Sequence, residues 1–251
     1  MILQMKNRGN KMEITMRPMS AIEAWQHIMD SYYLYNAVLK KYDYSFDAFI
    51  PHTDFIIELF NKEKLTDQEI EQYKDRFINH FYNVNKLKRL EPIFNDSLKQ
   101  KFEQAVNEYL VPLLPSWNAK LPKVMEIRCT YGKGSGYWRP DDDHAWMLFR
   151  VSRYSDDPQK VFNIMFHEFV HMLIEDPIIQ KYNVPQDLKE RIVDMICYEY
   201  IKKPIQPMFE KSFANNYITP EVIKTDLPGA VKKMMTDYYA IQSTNQNTDS
   251  L

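Results

Sequence analysis

The segment His167-Glu168-Phe169-Val170-His171 holds the residue types and the spacing from which chemistry can be built. On an α-helix, residues four apart stand one above the other, so both imidazoles reach a single cation from one turn of backbone. Glu168 is one residue further on, rotated by about 100°, which brings its carboxylate beside a water on that cation without making it a ligand. A hydrolytic zinc site needs this division of labour: donors that leave one coordination position to water, and a base next to that water. The flanks sharpen the reading. Val161, Phe162, Ile164, Met165, Phe166, Phe169, Val170, Met172, Leu173 and Ile174 make the helix apolar nearly all round, and two histidines with a glutamate inside such a helix are costly without partners.

A third donor has to come from elsewhere. The metzincin pattern HExxHxxGxxH asks for Gly and His where this chain has Ile174 and Pro177. No histidine follows His171, so a downstream donor must be a carboxylate or Cys197. Glu190 is the leading candidate, in the next predicted helix, with Asp194 four residues later on the same face. Glu175, four residues after His171, sits near a helix end where a solvated role is easier.

HExxH followed on a second helix by Glu190-Arg191-Ile192-Val193-Asp194 resembles the gluzincin branch of the zincin metallopeptidases. The resemblance implies one zinc ion held by His167, His171 and Glu190, with Glu168 as general base and Asp194 orienting a ligating histidine. Tyr182 is similar in placement to the tyrosine that stabilises the oxyanion in thermolysin-like enzymes, with Tyr238 and Tyr239 as rivals among 17 tyrosines. An edge strand beside the metal, to which an extended peptide can add, is also implied, with Ala145 to Arg153 as its counterpart. The activity implied is zinc-dependent hydrolysis of peptide bonds in a peptide or protein substrate. Two alternatives stay open: a degenerate zincin that binds a peptide or partner without turnover, and a zinc hydrolase acting on a non-peptide amide.

The elements that must position these residues follow from local signals. Asp157 before Pro158 opens a helix running to about Glu175, a second runs from Pro185 to about Lys203, and Thr219-Pro220 opens another. Val124 to Tyr131 alternates as a half-buried strand, and Ala145 to Arg153 is a second strand. Between them lie Gly132, Gly134 and Gly136 and the run Asp141-Asp142-Asp143-His144, read as a long hairpin connection with a charged tip. The glycines lack a Walker lysine and a following helix, so no phosphate loop is expected. From Ser20 to about Leu114 the pattern is helical, with capping boxes at Ser20/Glu23 and Thr66/Glu69 and a further start at Ser97/Gln100. The tail after Gln242 is polar and expected to fray. The fold class expected is α+β and mostly helical: a zincin-like core over residues 121–251, with a small sheet or hairpin beside the HExxH helix, preceded by a helical N-terminal region of unknown role over 1–120.

Composition bounds the rest. With 251 residues, 45% hydrophobic and only 5 Gly, the chain is a folded globular protein of one or two domains. Its 32 Lys+Arg against 34 Asp+Glu give no field that would draw nucleic acid. Cys129 and Cys197 are too few for a disulfide framework, no apolar run is of membrane-spanning length, and Met1 to Met16 has no apolar signal-like stretch. The chain therefore reads as cytoplasmic, with neither nucleic acid nor membrane as partner.

Overall fold

The computed structural model describes residues 12–37, 54–83, 95–130, 135–138, 141, 143–150, 157–209 and 211–248. It is an α+β fold built mostly of helices around one four-stranded sheet. Glu13–Pro18 (β1) pairs in parallel with Val124–Thr130 (β2). Beyond β2 comes His144–Arg150 (β4), again parallel, and Ser135–Trp138 (β3) closes the far edge antiparallel to β4, giving the order β1-β2-β4-β3.

Because successive side chains alternate across a strand, this sheet has two distinct faces. One carries Ile14, Met125, Ile127, Cys129, Ala145, Met147 and Phe149 into the larger core. The other turns Leu148 and Trp146 toward a second, smaller core.

The second core is made by Ala21–Ala37 (α1), Asp54–Phe60 (α2) and Asp67–Arg76 (α3), the last continued by a π turn over Phe77–Phe81. Trp25, Tyr32, Phe55, Phe60 and Phe77 fill it. Both expected capping boxes form: Glu23 N–H donates to Ser20 Oγ and Ser20 N–H to Glu23, and Thr66 and Glu69 reciprocate in the same way. At the seam with the sheet, the parallel register sets Arg17 opposite Arg128, a like-charge pairing that is unfavourable alone. Two carboxylates resolve it. Arg17 donates in fork fashion to Glu23 at 2.7 Å and through Nε to Glu126 at 2.6 Å, while Arg128 Nε donates to the other Glu126 oxygen at 2.5 Å.

The larger core surrounds Pro158–Ile174 (α5), which packs against the sheet, Gln186–Ile201 (α6) and Asp96–Ala105 (α4). Asp157 caps α5 as expected, accepting from the amides of Gln159 and Lys160. Phe102 of α4 meets Phe169 edge-on at 5.4 Å. Thr219 caps Pro220–Thr225 (α7), and Leu227–Thr248 (α8) completes the chain.

Several expectations are corrected. The strands at 124–130 and 144–150 do not form a hairpin with each other; they lie parallel, and the hairpin is β3–β4. The intervening segment contains a strand that returns along the outer side of β4, and alternation alone does not tell parallel from antiparallel neighbours. It follows that β4 is an inner strand and the edge is β3, so Ala145 to Arg153 is not the edge strand. The first strand, β1, was not expected at all, and Asn95 rather than Ser97 caps α4, accepting from Leu98 N–H at 3.0 Å. The chain beyond Gln242 continues as helix to Thr248. The larger core also draws on Met12, Ile14 and the segment from Leu98 to Trp117. Tyr131, Gly132, Gly134, Asp142 and residues 151–153 lie outside the described residues. No helix among the described residues is long and apolar enough to cross a membrane.

Candidate metal centre

His167 and His171 lie one turn apart on α5, on the stripe facing α6. His167 is 8% and His171 3% exposed, which follows from their place in a helix whose other members are almost all apolar. Glu190 reaches them from the first turns of α6, and His167, His171 and Glu190 stand together as one potential metal-binding group. The facing atoms are close: His171 Nε2 lies 3.0 Å from His167 Nε2 and 3.3 Å from Glu190 Oε2, and His167 Nε2 lies 3.4 Å from that same oxygen.

These separations are a test of fit. Ligand atoms bound at about 2.0–2.2 Å to a tetrahedral ion stand about 3.3–3.6 Å apart, and the three observed distances fall at or just under that span. Two imidazole nitrogens and one carboxylate oxygen are also the donor chemistry that zinc prefers.

The electrostatics point the same way. Burial opposes charge on His167, but hydrogen bonding to Asp194, Cys197 and Glu190 outweighs it and the imidazole is pushed up to about 11. Burial likewise opposes ionisation of Glu190, yet the two histidines hold its carboxyl well below the usual carboxylate range. The field at this point favours a positive charge.

Around the donors lies a supporting set. Asp194, one turn after Glu190 on α6, is 1% exposed, and its Oδ1 lies 3.5 Å from His167 Nδ1, behind the ring. Gln186 Nε2 donates to Glu190 Oε1 at 2.7 Å, leaving Oε2 to face the histidines. Lys203 Nζ lies 2.5 Å from Asp194 Oδ1 and 3.1 Å from His167 Nδ1, and Gln206 N–H donates to Asp194 Oδ2 at 3.3 Å. Cys197 is buried beside His167, its thiol pushed up by burial.

Glu168 is half-buried next to His167 on α5. The rival Glu175 is engaged elsewhere, 2.9 Å from Lys189 Nζ. Tyr182 follows the π turn Glu175–Gln180, half-buried, its ring 5.4 Å from Lys181 Nζ. Tyr239 donates to the carbonyl of Asn183 at 2.9 Å, and Tyr238 packs on Phe213. The exposed Asp141 accepts from the amides of Asp143 and His144, as a turn residue does.

Sequence reasoning missed Gln186, Lys203 and Gln206. Gln186 was within reach of it, standing four residues before Glu190 on the same helix face. Lys203 and Gln206 were not, because they follow the end of α6, where no periodicity fixes direction. No protein-family model, curated protein or solved structure matches this chain.

Proposed function

We propose that this protein is a zinc-dependent metallopeptidase of zincin type. The observation that carries the reading is the convergence of His167 Nε2, His171 Nε2 and Glu190 Oε2 at 3.0 to 3.4 Å from one another inside a buried, apolar setting. His167, His171 and Glu190 hold the ion, with Asp194 behind His167. Zinc held there supplies Lewis-acid activation of water, bringing its pKa toward ~7.

Glu168 is the general base. It takes the proton of the attacking water and delivers it to the leaving amine, in keeping with its position one residue past a ligand and its partial exposure. A base has no purpose in a purely structural site, which would more often close with four protein donors. Strand β3, as the antiparallel edge of the sheet and in contact with α5, supplies the backbone to which an extended substrate adds. Tyr182 is the candidate donor to the oxyanion, through a reorientation toward substrate.

Cleavage of a peptide library by the zinc-loaded protein and by Glu168→Gln tests this. The substitution is expected to reduce turnover by roughly 10²–10⁴-fold while zinc content stays at wild-type level. Zinc uptake with no cleavage of any peptide by the wild type would replace the peptidase with a binding module or a hydrolase of other amides.

A further inference from the structure

We infer that Lys203 is a positioning residue of the metal centre, clamping Asp194 against His167; the inference rests on the metal-binding reading above. It starts from the end of α6. Lys202 adopts a left-handed backbone, φ 54°, and closes the helix with its amide on Tyr198 O. A non-glycine residue there costs about 1 kcal/mol or more, and the turn it makes sends the chain back along the helix.

That return sets Lys203 Nζ 2.5 Å from Asp194 Oδ1 and the Gln206 amide 3.3 Å from Oδ2. Both oxygens of a fully buried carboxylate are thereby engaged, and the side chain of Lys203 is itself only 15% exposed. A histidine that gives Nε2 to a metal carries its proton on Nδ1 and needs an acceptor behind it. Asp194 Oδ1, 3.5 Å from Nδ1, is the carboxylate oxygen placed to take that role, and the ammonium on the same oxygen, with the amide on the other, keeps the carboxylate from turning away. Nζ also lies 3.1 Å from His167 Nδ1; an ammonium only donates, so with the proton on Nδ1 its hydrogens go to Asp194 and not to the ring. Lys203 and Asp194 both stand at His167, so the effect falls first on that ligand.

Apoprotein prepared with a chelator is titrated with Co²⁺, comparing wild type, Lys203→Met and Lys203→Gln. Lys203→Met is expected to bind Co²⁺ about 10- to 100-fold more weakly, with altered visible bands, and Lys203→Gln, which keeps a donor for Asp194, to fall between. In the zinc-loaded proteins the ring ¹⁵N resonances of His167 should move while those of His171 hold still, a selectivity that general loosening of the fold would not produce. Wild-type affinity and unmoved His167 resonances in Lys203→Met overturn the inference. Should that variant not fold, the same result in Lys203→Gln overturns it. Failure of the wild type to take up Co²⁺ or Zn²⁺ instead overturns the metal reading itself.

Discussion

On one face of the sheet, α1, α2 and α3 close around Trp25, Tyr32, Phe55, Phe60 and Phe77, and their ion pairs, Lys62 with Glu69 and Arg76 with Glu58, stand at the surface. On the other face, α5 and α6 bury His167, His171, Arg191 and Asp194, which are the buried polar or charged residues among those described. The first arrangement needs only shape and apolar area. The second places groups that resist desolvation inside a core, and it holds because each has partners and because the surrounding apolar packing fixes them.

The largest expected effects separate the two cores directly. Phe102→Ala and Phe55→Ala each remove a ring that is 0% or 1% exposed, and each is expected to lower stability by about 3–5 kcal/mol in denaturant unfolding. Phe102 packs on Phe169, between the two histidines in sequence, so its removal should also weaken zinc uptake by the folded fraction. Phe55→Ala should leave uptake unchanged. If Phe55→Ala weakened it equally, the two cores would be one cooperative unit and the contrast would be false.

A smaller effect, about 1 kcal/mol, is expected from Thr66→Ala, which removes the cap of α3. It should be read in thermal unfolding with no change in metal affinity.

The smallest concerns the seam. The hydrogen bonds from Arg17 hold the Glu23 carboxyl at about 2, against burial and with help from Ser20. A carboxyl lowered on folding adds stability that is complete above its unfolded value near 4.5 and is lost as pH falls toward 2. Since Arg17 is 39% exposed, solvent screening limits the effect to under about 1 kcal/mol. The stability difference between wild type and Glu23→Gln should therefore shrink between pH 6 and pH 2.5; a difference that stays constant would mean that Arg17 and Glu23 are not coupled in solution.

What the sequence made legible was local. The caps at Ser20, Thr66, Asp157 and Thr219 are each written in two to four residues, and the helical spacing of His167 and His171 follows from the period of the helix. Alternation likewise put Met125, Ile127 and Cys129 on one face of a strand. What stayed hidden depends on partners far away in the chain. Strand β1 is short, with Glu13, Thr15 and Arg17 between its apolar residues, and it becomes a strand because β2 pairs with it. The parallel placement of β4 against β2 is decided by where β3 lies. Glu190 could be proposed from its distance to a motif, but Lys203 reaches the same centre through a left-handed turn that a lysine does not announce.

The pairing of β1 with β2 also has a consequence in time. Arg17 and Glu126, neighbours across those strands, are 109 residues apart in sequence. At a synthesis rate of roughly 5–20 residues per second, β1 leaves the ribosome about 5–20 seconds before its partner does. Through that interval its backbone lacks the strand it will pair with, and Ile14 lacks the core it will enter. Helices α1 to α3 form early from local contacts and can close on one another, but the sheet that divides the finished molecule can be completed only after β4, which ends at Arg150, has been made.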